Sequence, residues 1–228
     1  MIETVKHFYW AMLGGQWTIA LAALGLGYLI GSIPFGVIFT RLAGEGDIRQ
    51  IGSGNIGATN VLRTGNRWAA AATLICDAAK GFLAFWIMLR APHFWYSAPL
   101  AGLGAMLGHL FPFWLRFRGG KGVATFLGIM FAVTWPVGVL VAATWGIAAQ
   151  IWKMSSLAAL IAALLAPIYV WVFQGSYLAA FTALLTIIIF ITHRDNIARI
   201  LSRTEPRIGE KAQAEAEILD DEGSLDAG

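Results

Sequence analysis

A run of glycines and cations between two apolar segments is well suited to bind an anion. Residues Gly119–Gly122 read Gly-Gly-Lys-Gly, and Arg116 and Arg118 precede them. Glycine lets backbone N–H groups approach an anion closely, lysine adds a point charge, and a helix beginning near Val123 would direct its positive dipole end to the same place. The spacing is not that of a nucleotide-binding P-loop, because a glycine follows the lysine where Ser or Thr belongs. The run predicts a phosphate site without ATP.

A second cluster, Gly52–Arg63, combines glycines with hydroxyl, amide and guanidinium side chains. It contains a Gly-x-Gly-x-x-Gly pattern, but no strand precedes it, and Asp77 lies in an apolar segment instead of ending a second strand, so a dinucleotide site is excluded. Backbone N–H groups and Arg63 suit a phosphate, whereas Ser and Asn side chains suit hydroxyl groups. The cluster predicts a site for a phosphorylated polyol, and a flexible polar connector is the alternative.

A third cluster, His193–Asn196, follows the last apolar segment, with Arg199 and Arg203 shortly after it. Histidine titrates near neutral pH, and here it adjoins the membrane surface where the two other anion-binding clusters are expected. The cluster predicts a histidine that takes part in catalysis. A capping or packing role at a helix end is the alternative.

Other polar residues allow two interpretations each. Asp77 and Lys80 stand one helical turn apart in an apolar segment, which predicts an inward-facing functional pair or a structural ion pair. Ser155 and Ser156 open an apolar helix and suit either N-capping or substrate binding. The arginines before Gly119 suit anionic lipid headgroups as well as substrate.

The composition is that of an integral membrane protein. Of 228 residues, 58% are hydrophobic and 13% are charged, and the mean hydropathy is +0.68. Cys76 is the only cysteine, so an intramolecular disulfide and a cysteine-rich metal site are excluded, and we expect no metal or cofactor. The net charge of +3 comes without a basic module typical of nucleic-acid binding. The positive charge is better explained by membrane topology.

Six apolar runs predict the spans, and one run decides the topology. Residues 123–151 carry no charge but are interrupted at Thr134–Gly138. If this run forms a hairpin that turns at Trp135-Pro136, 13 of the 16 Lys and Arg residues lie on one side of the membrane. The positive-inside rule therefore favours the hairpin, although helices of 12 to 15 residues reach only about 18 to 22 Å. The predicted runs are about Trp17–Phe39, Trp68–Leu89, 98–115, 123–151, 155–173 and 176–192.

We predict an all-α membrane protein, a polytopic bundle of seven transmembrane helices of which two are short. The N-terminus is expected outside and the C-terminus in the cytoplasm. Residues 1–16 are predicted to be an interfacial segment, 17–207 the membrane domain, and 208–228 an acidic, disordered tail.

The three clusters resemble the three motifs of the bacterial acyl-phosphate-dependent glycerol-3-phosphate acyltransferases. The matching residues are Gly52–Asn60, Gly108-His109 with Phe117 and Gly119–Thr125, and His193–Ile197. The resemblance implies transfer of a fatty acyl group from acyl phosphate to the sn-1 hydroxyl of glycerol 3-phosphate, the first acylation of phospholipid synthesis. It also implies a multi-pass protein of the bacterial inner membrane with a cytoplasmic active site. Expected partners are membrane lipids and the enzymes that form the acyl phosphate and add the second acyl chain.

By transfer of motif positions, the resemblance implies a set of site residues. The candidates for catalysis are Ser53, Arg63, Lys121 and His193, and those for substrate binding are Asn55, Thr59, Asn60, Gly119, Gly120, Gly122, Arg194 and Asn196. Ser155 and Ser156, which lie outside the motifs, are added as substrate-binding candidates because they open a helix on the same side. Because phosphate is already a good leaving group, no covalent acyl-enzyme is needed, and Ser53 is expected to donate a hydrogen bond. The base is either His193 or a phosphate oxygen of a substrate.

Two other classes of protein compete with this interpretation. None of the four histidines begins the His-x-x-x-x-Asp motif of acyl-CoA-dependent acyltransferases. A membrane transporter of a small organic phosphate is the remaining alternative, which the interrupted run 123–151 and the Asp77–Lys80 pair would suit. The grouping of polar clusters on one side argues against it.

Overall fold

The computed structural model of the protein describes residues 17–92 and 94–208. The predicted interfacial segment 1–16 and nearly all of the predicted tail 208–228 lie outside these residues. Within the described ranges the chain forms α-helices and short 3-10 turns and contains no β-strand, as predicted. The α-helices in chain order are α1 (Trp17–Gly31), α2 (Phe35–Leu42), α3 (Ala58–Val61), α4 (Arg67–Arg90), α5 (Ala98–Leu110), α6 (Val123–Val133), α7 (Trp135–Trp152), α8 (Ser155–Gln174), α9 (Ser176–Thr192) and α10 (Arg194–Leu201).

Five or six segments of the described chain are long and apolar enough to cross a bilayer. The five are Trp17–Leu42, Arg67–Arg90, Trp95–Leu115, Trp135–Trp152 and Ser155–Gln174. The sixth is α9 with α10, which are bent by 63° against each other. Helix α6 has 11 residues and spans only about 16 Å, roughly half the hydrocarbon core. Length alone therefore supports a polytopic membrane bundle but not the predicted number of seven spans.

Glycines bring the membrane helices close together. On α1, Gly27 and Gly31 face the backbone of α5 so closely that a Cβ atom at either position would overlap a carbonyl group of Ala101 or Ala105. On α5, Gly104 meets the backbone of α1 in the same way. Small residues four apart let helix backbones approach, and in lipid this packing replaces the hydrophobic driving force. Helix α5 is thereby held in the bundle next to α1.

The predicted interruption near residue 135 is a true break between α6 and α7. Thr134 has an extended backbone with φ −168° and ψ 139°, and Pro136 occupies the first turn of α7. Gly138 on α7 lies directly against Phe131 on α6, which shows that the chain folds back on itself at this break. Helix α6 is as short as the hairpin prediction required, whereas α7 has 18 residues and is longer than predicted.

Candidate active site

The loop Gly52–Arg63 is organised by the side chain of Asn60. Its Nδ2 donates to the carbonyl oxygens of Ile48, Ile51 and Asn55 at 3.2, 2.9 and 2.8 Å, and its Oδ1 accepts from the Ser53 N–H at 3.1 Å. Asn60 is buried, so these bonds satisfy an amide that would otherwise be costly to hold in the interior. The predicted substrate contact of Asn60 stays a prediction, and the structure adds a role in shaping the loop.

The backbone of a glycine and the side chain of an asparagine complete the shape of this loop. Gly52 adopts φ +56°, and a Cβ there would meet the side chains of Asn60 and Arg63. Arg63 therefore packs directly over the loop backbone. Asn55 Oδ1 accepts from the Gly57 N–H at 2.9 Å and so forms a local turn. Its predicted contact with substrate stays a prediction as well.

The glycines around Lys121 are required by close packing. The N–H of Gly119 donates to Leu110 O and the N–H of Gly120 donates to His109 O, both at 3.0 Å. A Cβ at Gly119 or Gly120 would overlap the end of α5. Both N–H groups thus serve to hold the loop against the end of α5, and the predicted contact of these glycines with a phosphate stays a prediction.

Gly122 has a left-handed backbone with φ +86° and precedes the first residue of α6. A side chain there would be strained and would also meet Met106. The residue lets the chain turn from Lys121 into the helix, and the Thr192 hydroxyl donates to Lys121 O at 3.1 Å. The backbone of Lys121 is consequently held from both α5 and α9.

His193 lies at the bend between α9 and α10 and is almost fully buried. Its Nδ1 lies 2.9 Å from Ile189 O, and because a carbonyl oxygen can only accept, Nδ1 carries the proton and Nε2 keeps a free lone pair. Burial and nearby Lys121 lower the pKa of His193 to about 4, against a weaker opposing effect of the Ile189 bond. The imidazole is therefore neutral at pH 7.

Four parts of the chain meet at one end of the bundle. Lys121 Nζ donates to Asn196 Oδ1, which joins the glycine-rich run Gly119–Gly122 to the third cluster. The hydroxyls of Thr59 and Ser155 lie 3.3 Å apart and join the second cluster to the start of α8. Because α6 begins beside Lys121 and α8 begins where α7 ends, both ends of the α6–α7 pair lie at this cluster.

Glu205, which the sequence interpretation did not select, connects these parts. Its Oε1 accepts from Ser156 Oγ and from Asn196 Nδ2, both at 2.6 Å, and its Oε2 accepts from Arg199 Nε at 2.8 Å. Burial raises the pKa of Glu205, but these three bonds outweigh it, and the net shift lowers the pKa. The available signal was that Glu205 is the single acid between Asp195 and Arg207 in a basic segment.

The resulting cluster is strongly cationic. Burial lowers the pKa of Lys121, and the nearby Arg199 and Arg63 lower it further. Arg199 pairs with the carboxylate of Glu205, and Arg63 and Asp195 are further charges near Lys121, so a phosphate would relieve the repulsion among the cations. Arg194 does not join them, because its side chain is 81% exposed and faces Asp195 at 3.6 Å. The geometry suits recognition of phosphate groups next to a neutral imidazole.

Comparisons with known proteins identify the family of this chain. The sequence profile described as glycerol-3-phosphate acyltransferase matches residues 21–203. A glycerol-3-phosphate acyltransferase of Brucella ovis is 54% identical over 192 residues, covering 84% of this chain and 94% of the relative. One from Rhodopseudomonas palustris is 54% identical over 195 residues, covering 85% of this chain and 98% of the relative.

Two solved structures have the same fold. The glycerol 3-phosphate form of PlsY, described as an integral membrane glycerol 3-phosphate acyltransferase, aligns with a TM-score of 0.78 at 34% identity, covering 86% of this chain and 98% of that one. Its lysophosphatidic acid form aligns with a TM-score of 0.74 at 34% identity, covering 82% and 94%. The all-helical membrane fold is confirmed, and the family that the three clusters predicted is confirmed with it. The chain is a multi-pass membrane protein that belongs to the glycerol-3-phosphate acyltransferase family.

Proposed function

We propose that this membrane acyltransferase moves a fatty acyl group from an acyl phosphate to the sn-1 hydroxyl of glycerol 3-phosphate. The products are 1-acylglycerol 3-phosphate and inorganic phosphate. The observation that carries the proposal is the hydrogen-bonded series Lys121–Asn196–Glu205–Arg199, which lies beside the neutral His193 and close enough to Arg63 for that charge to lower the pKa of Lys121. A reaction that brings two phosphate groups together needs such a concentration of positive charge, and the chain's relatives are named for this acceptor.

In the proposed reaction the acceptor hydroxyl oxygen attacks the acyl carbonyl carbon. The bond between that carbon and the phosphate oxygen breaks, and phosphate leaves with the electron pair. Lys121 and Arg63 bind the phosphates, while hydroxyl and amide groups of the cluster orient the acceptor. Residues in these further roles are Ser53, Thr59, Ser155, Ser156 and Asn196. Ser53 donates a hydrogen bond and forms no acyl-enzyme.

The proton of the acceptor hydroxyl passes to a phosphate oxygen in this proposal. His193 has a pKa of about 4, so its Nε2 is a weak base, whereas a phosphate monoester has its second pKa near 6. A general base works best when its pKa is close to the operating pH. His193 Nε2 then accepts a hydrogen bond that orients the hydroxyl group.

Seven spans are proposed for the bundle, with the N-terminus outside and the site facing the cytoplasm of a bacterial inner membrane. Both ends of the α6–α7 pair lie at the polar cluster, as a hairpin requires. In this arrangement 13 of 16 Lys and Arg residues share the cytoplasmic side. The short α6 lies between longer helices, and Gly128 packs against Ala78 of α4, which supports its shallow insertion.

Purified protein incubated with palmitoyl phosphate and glycerol 3-phosphate tests the activity. We expect stoichiometric release of phosphate and formation of 1-palmitoylglycerol 3-phosphate, with no release when glycerol replaces the acceptor. Palmitoyl-CoA in place of palmitoyl phosphate tests the donor and should give no product. Folded protein that releases no phosphate would refute the proposal, and counterflow of labelled glycerol 3-phosphate in proteoliposomes would then favour transport.

A further inference from the structure

A cluster of buried ionisable side chains lies between α4 and α5, apart from the groups that the proposed reaction uses. Asp77 and Lys80 come from α4, and His109 comes from the last turn of α5. Each is at most 3% exposed. Asp77 Oδ1 lies 2.7 Å from Lys80 Nζ and 3.6 Å from His109 Nδ1. Burial of three ionisable groups is costly even when they are paired, so an apolar contact would serve stability at least as well.

Lys80 connects this cluster to the break between α1 and α2. Its Nζ donates to Ile33 O at 3.0 Å and lies 5.8 Å from the ring centroid of Phe35. Pro34 follows Ile33 and has no N–H, so the helix is interrupted there. The lysine thus anchors α4 to an irregular stretch of backbone.

His109 connects the same cluster to the loop that carries Lys121. The Nδ1 of its ring faces Asp77, whereas its Nε2 lies where a Cβ of residue 120 would be. His109 O also accepts from the Gly120 N–H at 3.0 Å. The imidazole therefore packs directly against the backbone of Gly120. The next residue is Lys121, whose ammonium group contacts Asn196.

We propose that Asp77, Lys80 and His109 are positioning residues that place Lys121 for phosphate binding. The carboxylate of Asp77, which at 3.6 Å is beyond hydrogen-bond distance, orients the His109 ring through its charge, and the ring supports the backbone of Gly120. Lys80 balances the charge of the carboxylate and ties it to the α1–α2 break. None of the three touches substrate in this proposal. It rests on the proposed function, since it assigns Lys121 to a substrate phosphate.

The test compares two variants of the cluster with a variant of Lys121. Asp77→Asn combined with Lys80→Met removes both charges together, which avoids leaving one of them buried and unpaired. His109→Gln removes the imidazole ring. Lys121→Met identifies the substrate whose KM depends on the ammonium group. We expect both cluster variants to raise the KM for that same substrate about tenfold with little change in kcat.

A double-mutant cycle shows whether the effect passes through Lys121. If it does, the cluster substitutions add no further rise in KM once Lys121→Met is present. Thr144→Val is the control, because it removes a 3.0 Å contact with Tyr169 between α7 and α8, away from the polar loops. It should leave both KM values unchanged. Thermal unfolding is recorded for every variant.

Three results would overturn the inference. One is a cluster variant that folds and keeps its KM values. Another is an equal rise of KM in the wild-type and Lys121→Met backgrounds, which would mean an effect independent of the lysine. A loss of thermal stability with unchanged KM would show a purely structural cluster. In each of these cases the wild type still releases phosphate, whereas a wild type without any phosphate release refutes the proposed function together with this inference.

Discussion

Glu205 is the residue whose loss we expect to disturb the site most widely. Its carboxylate accepts three hydrogen bonds, from Ser156, Asn196 and Arg199. Glu205→Gln puts an N–H₂ group opposite donors and removes the carboxylate charge that pairs with Arg199. We expect the free energy of unfolding to fall by about 1–3 kcal/mol. We also expect kcat/KM to fall about tenfold or more, because Ser156 and Asn196 lose their alignment.

Asp195→Asn is the matched control for this substitution. Asp195 lies on the short helix α10, next to the segment that carries Glu205, but its side chain is 77% exposed, so neither stability nor turnover should change.

The pH dependence of stability adds a second test of Glu205. Because the folded state lowers the pKa of Glu205 below 4.5, the stability that its ionisation contributes is present above that pH and is lost as the pH falls through the folded pKa. The difference in unfolding free energy between wild type and Glu205→Gln should therefore shrink as the pH falls through the folded-state pKa of Glu205. A difference that stays constant with pH would show that the ionised carboxylate does not stabilise the fold.

His193 should contribute to turnover without setting its pH dependence near neutrality. A pKa of about 4 keeps the imidazole neutral between pH 6 and pH 9 in the free enzyme. A group that acts as a base loses its function as the pH falls through its pKa, so any loss caused by His193 belongs near pH 4. His193→Ala should therefore lower kcat/KM, by about 100-fold for a lost orienting contact. The profile from pH 6 to pH 9 should keep its shape.

Measurement of kcat/KM against pH for both proteins checks this expectation. The protein has to remain folded over the range, which thermal unfolding at each pH establishes. If the wild type shows a limb between pH 6 and pH 8 that is absent in His193→Ala, the imidazole titrates in that range and is the base.

At the scale of helices, most of the fold could be predicted from apolar periodicity and charge. The predicted run 68–89 is α4 to within one residue at each end, since the charges of Arg67 and Arg90 bound it. The break at Thr134 was visible as Pro136 and Gly138 inside an uncharged run. The break before Phe35 is not predicted from the sequence, because Pro34 lies inside an apolar run that has the length of one span. Lys80 donates to Ile33 O and so lowers the free-energy cost of interrupting the helix there. A single sequence does not reveal such a tertiary contact.

The close packing of α1 against α5 makes a prediction about two glycines on one helix. A Cβ at Gly27 would overlap the carbonyl group of Ala101, whereas Gly25 has no atom within 4 Å of such a Cβ. Gly27→Ala should therefore destabilise the protein by about 1–3 kcal/mol, because the helices must move apart. Gly25→Ala gains helix propensity, by up to about 1 kcal/mol, and should not destabilise.

Thermal unfolding of both variants in the same detergent separates the two effects. Glycine-to-alanine changes at 25 and 27 alter the same helix by the same methyl group, so only the packing differs. Equal melting temperatures for the two variants would show that the α1–α5 contact is looser than the structure indicates.

At the scale of the whole molecule, the site arises only when distant loops meet. Each cluster could be recognised in the sequence as suited to anions, and their residues Arg63, Lys121 and His193 do come together. The role of each residue could not be predicted, because it depends on which N–H groups already donate hydrogen bonds within the protein. The N–H groups of Gly119 and Gly120 bond to α5, and Asn60 bonds to its own loop. Glu205 lies in a segment that sequence alone did not connect to the site.

The proposed topology makes a further prediction about which side of the membrane each connection faces. Cys76 is the only native cysteine, so Cys76→Ser gives a background without thiols. Single cysteines are then introduced by Trp95→Cys, Trp135→Cys, Arg118→Cys and Ser202→Cys, at residues that are all exposed. A membrane-impermeant maleimide added to whole cells should label the cysteines at 95 and 135. The cysteines at 118 and 202 should react only after the inner membrane is permeabilised.

Trp135→Cys decides whether the α6–α7 pair crosses the membrane. Helix α6 reaches only about 16 Å, so residue 135 becomes accessible from outside only if the bilayer is thin there or water enters between the longer helices. Labelling at 135 from outside, with 118 and 202 protected, supports seven spans and a cytoplasmic site. Labelling at 135 only after permeabilisation would instead make the pair a re-entrant hairpin with both ends and its turn on the inner side. The bundle would then have five spans, and the cluster of Arg63, Lys121 and His193 would still lie on the cytoplasmic side.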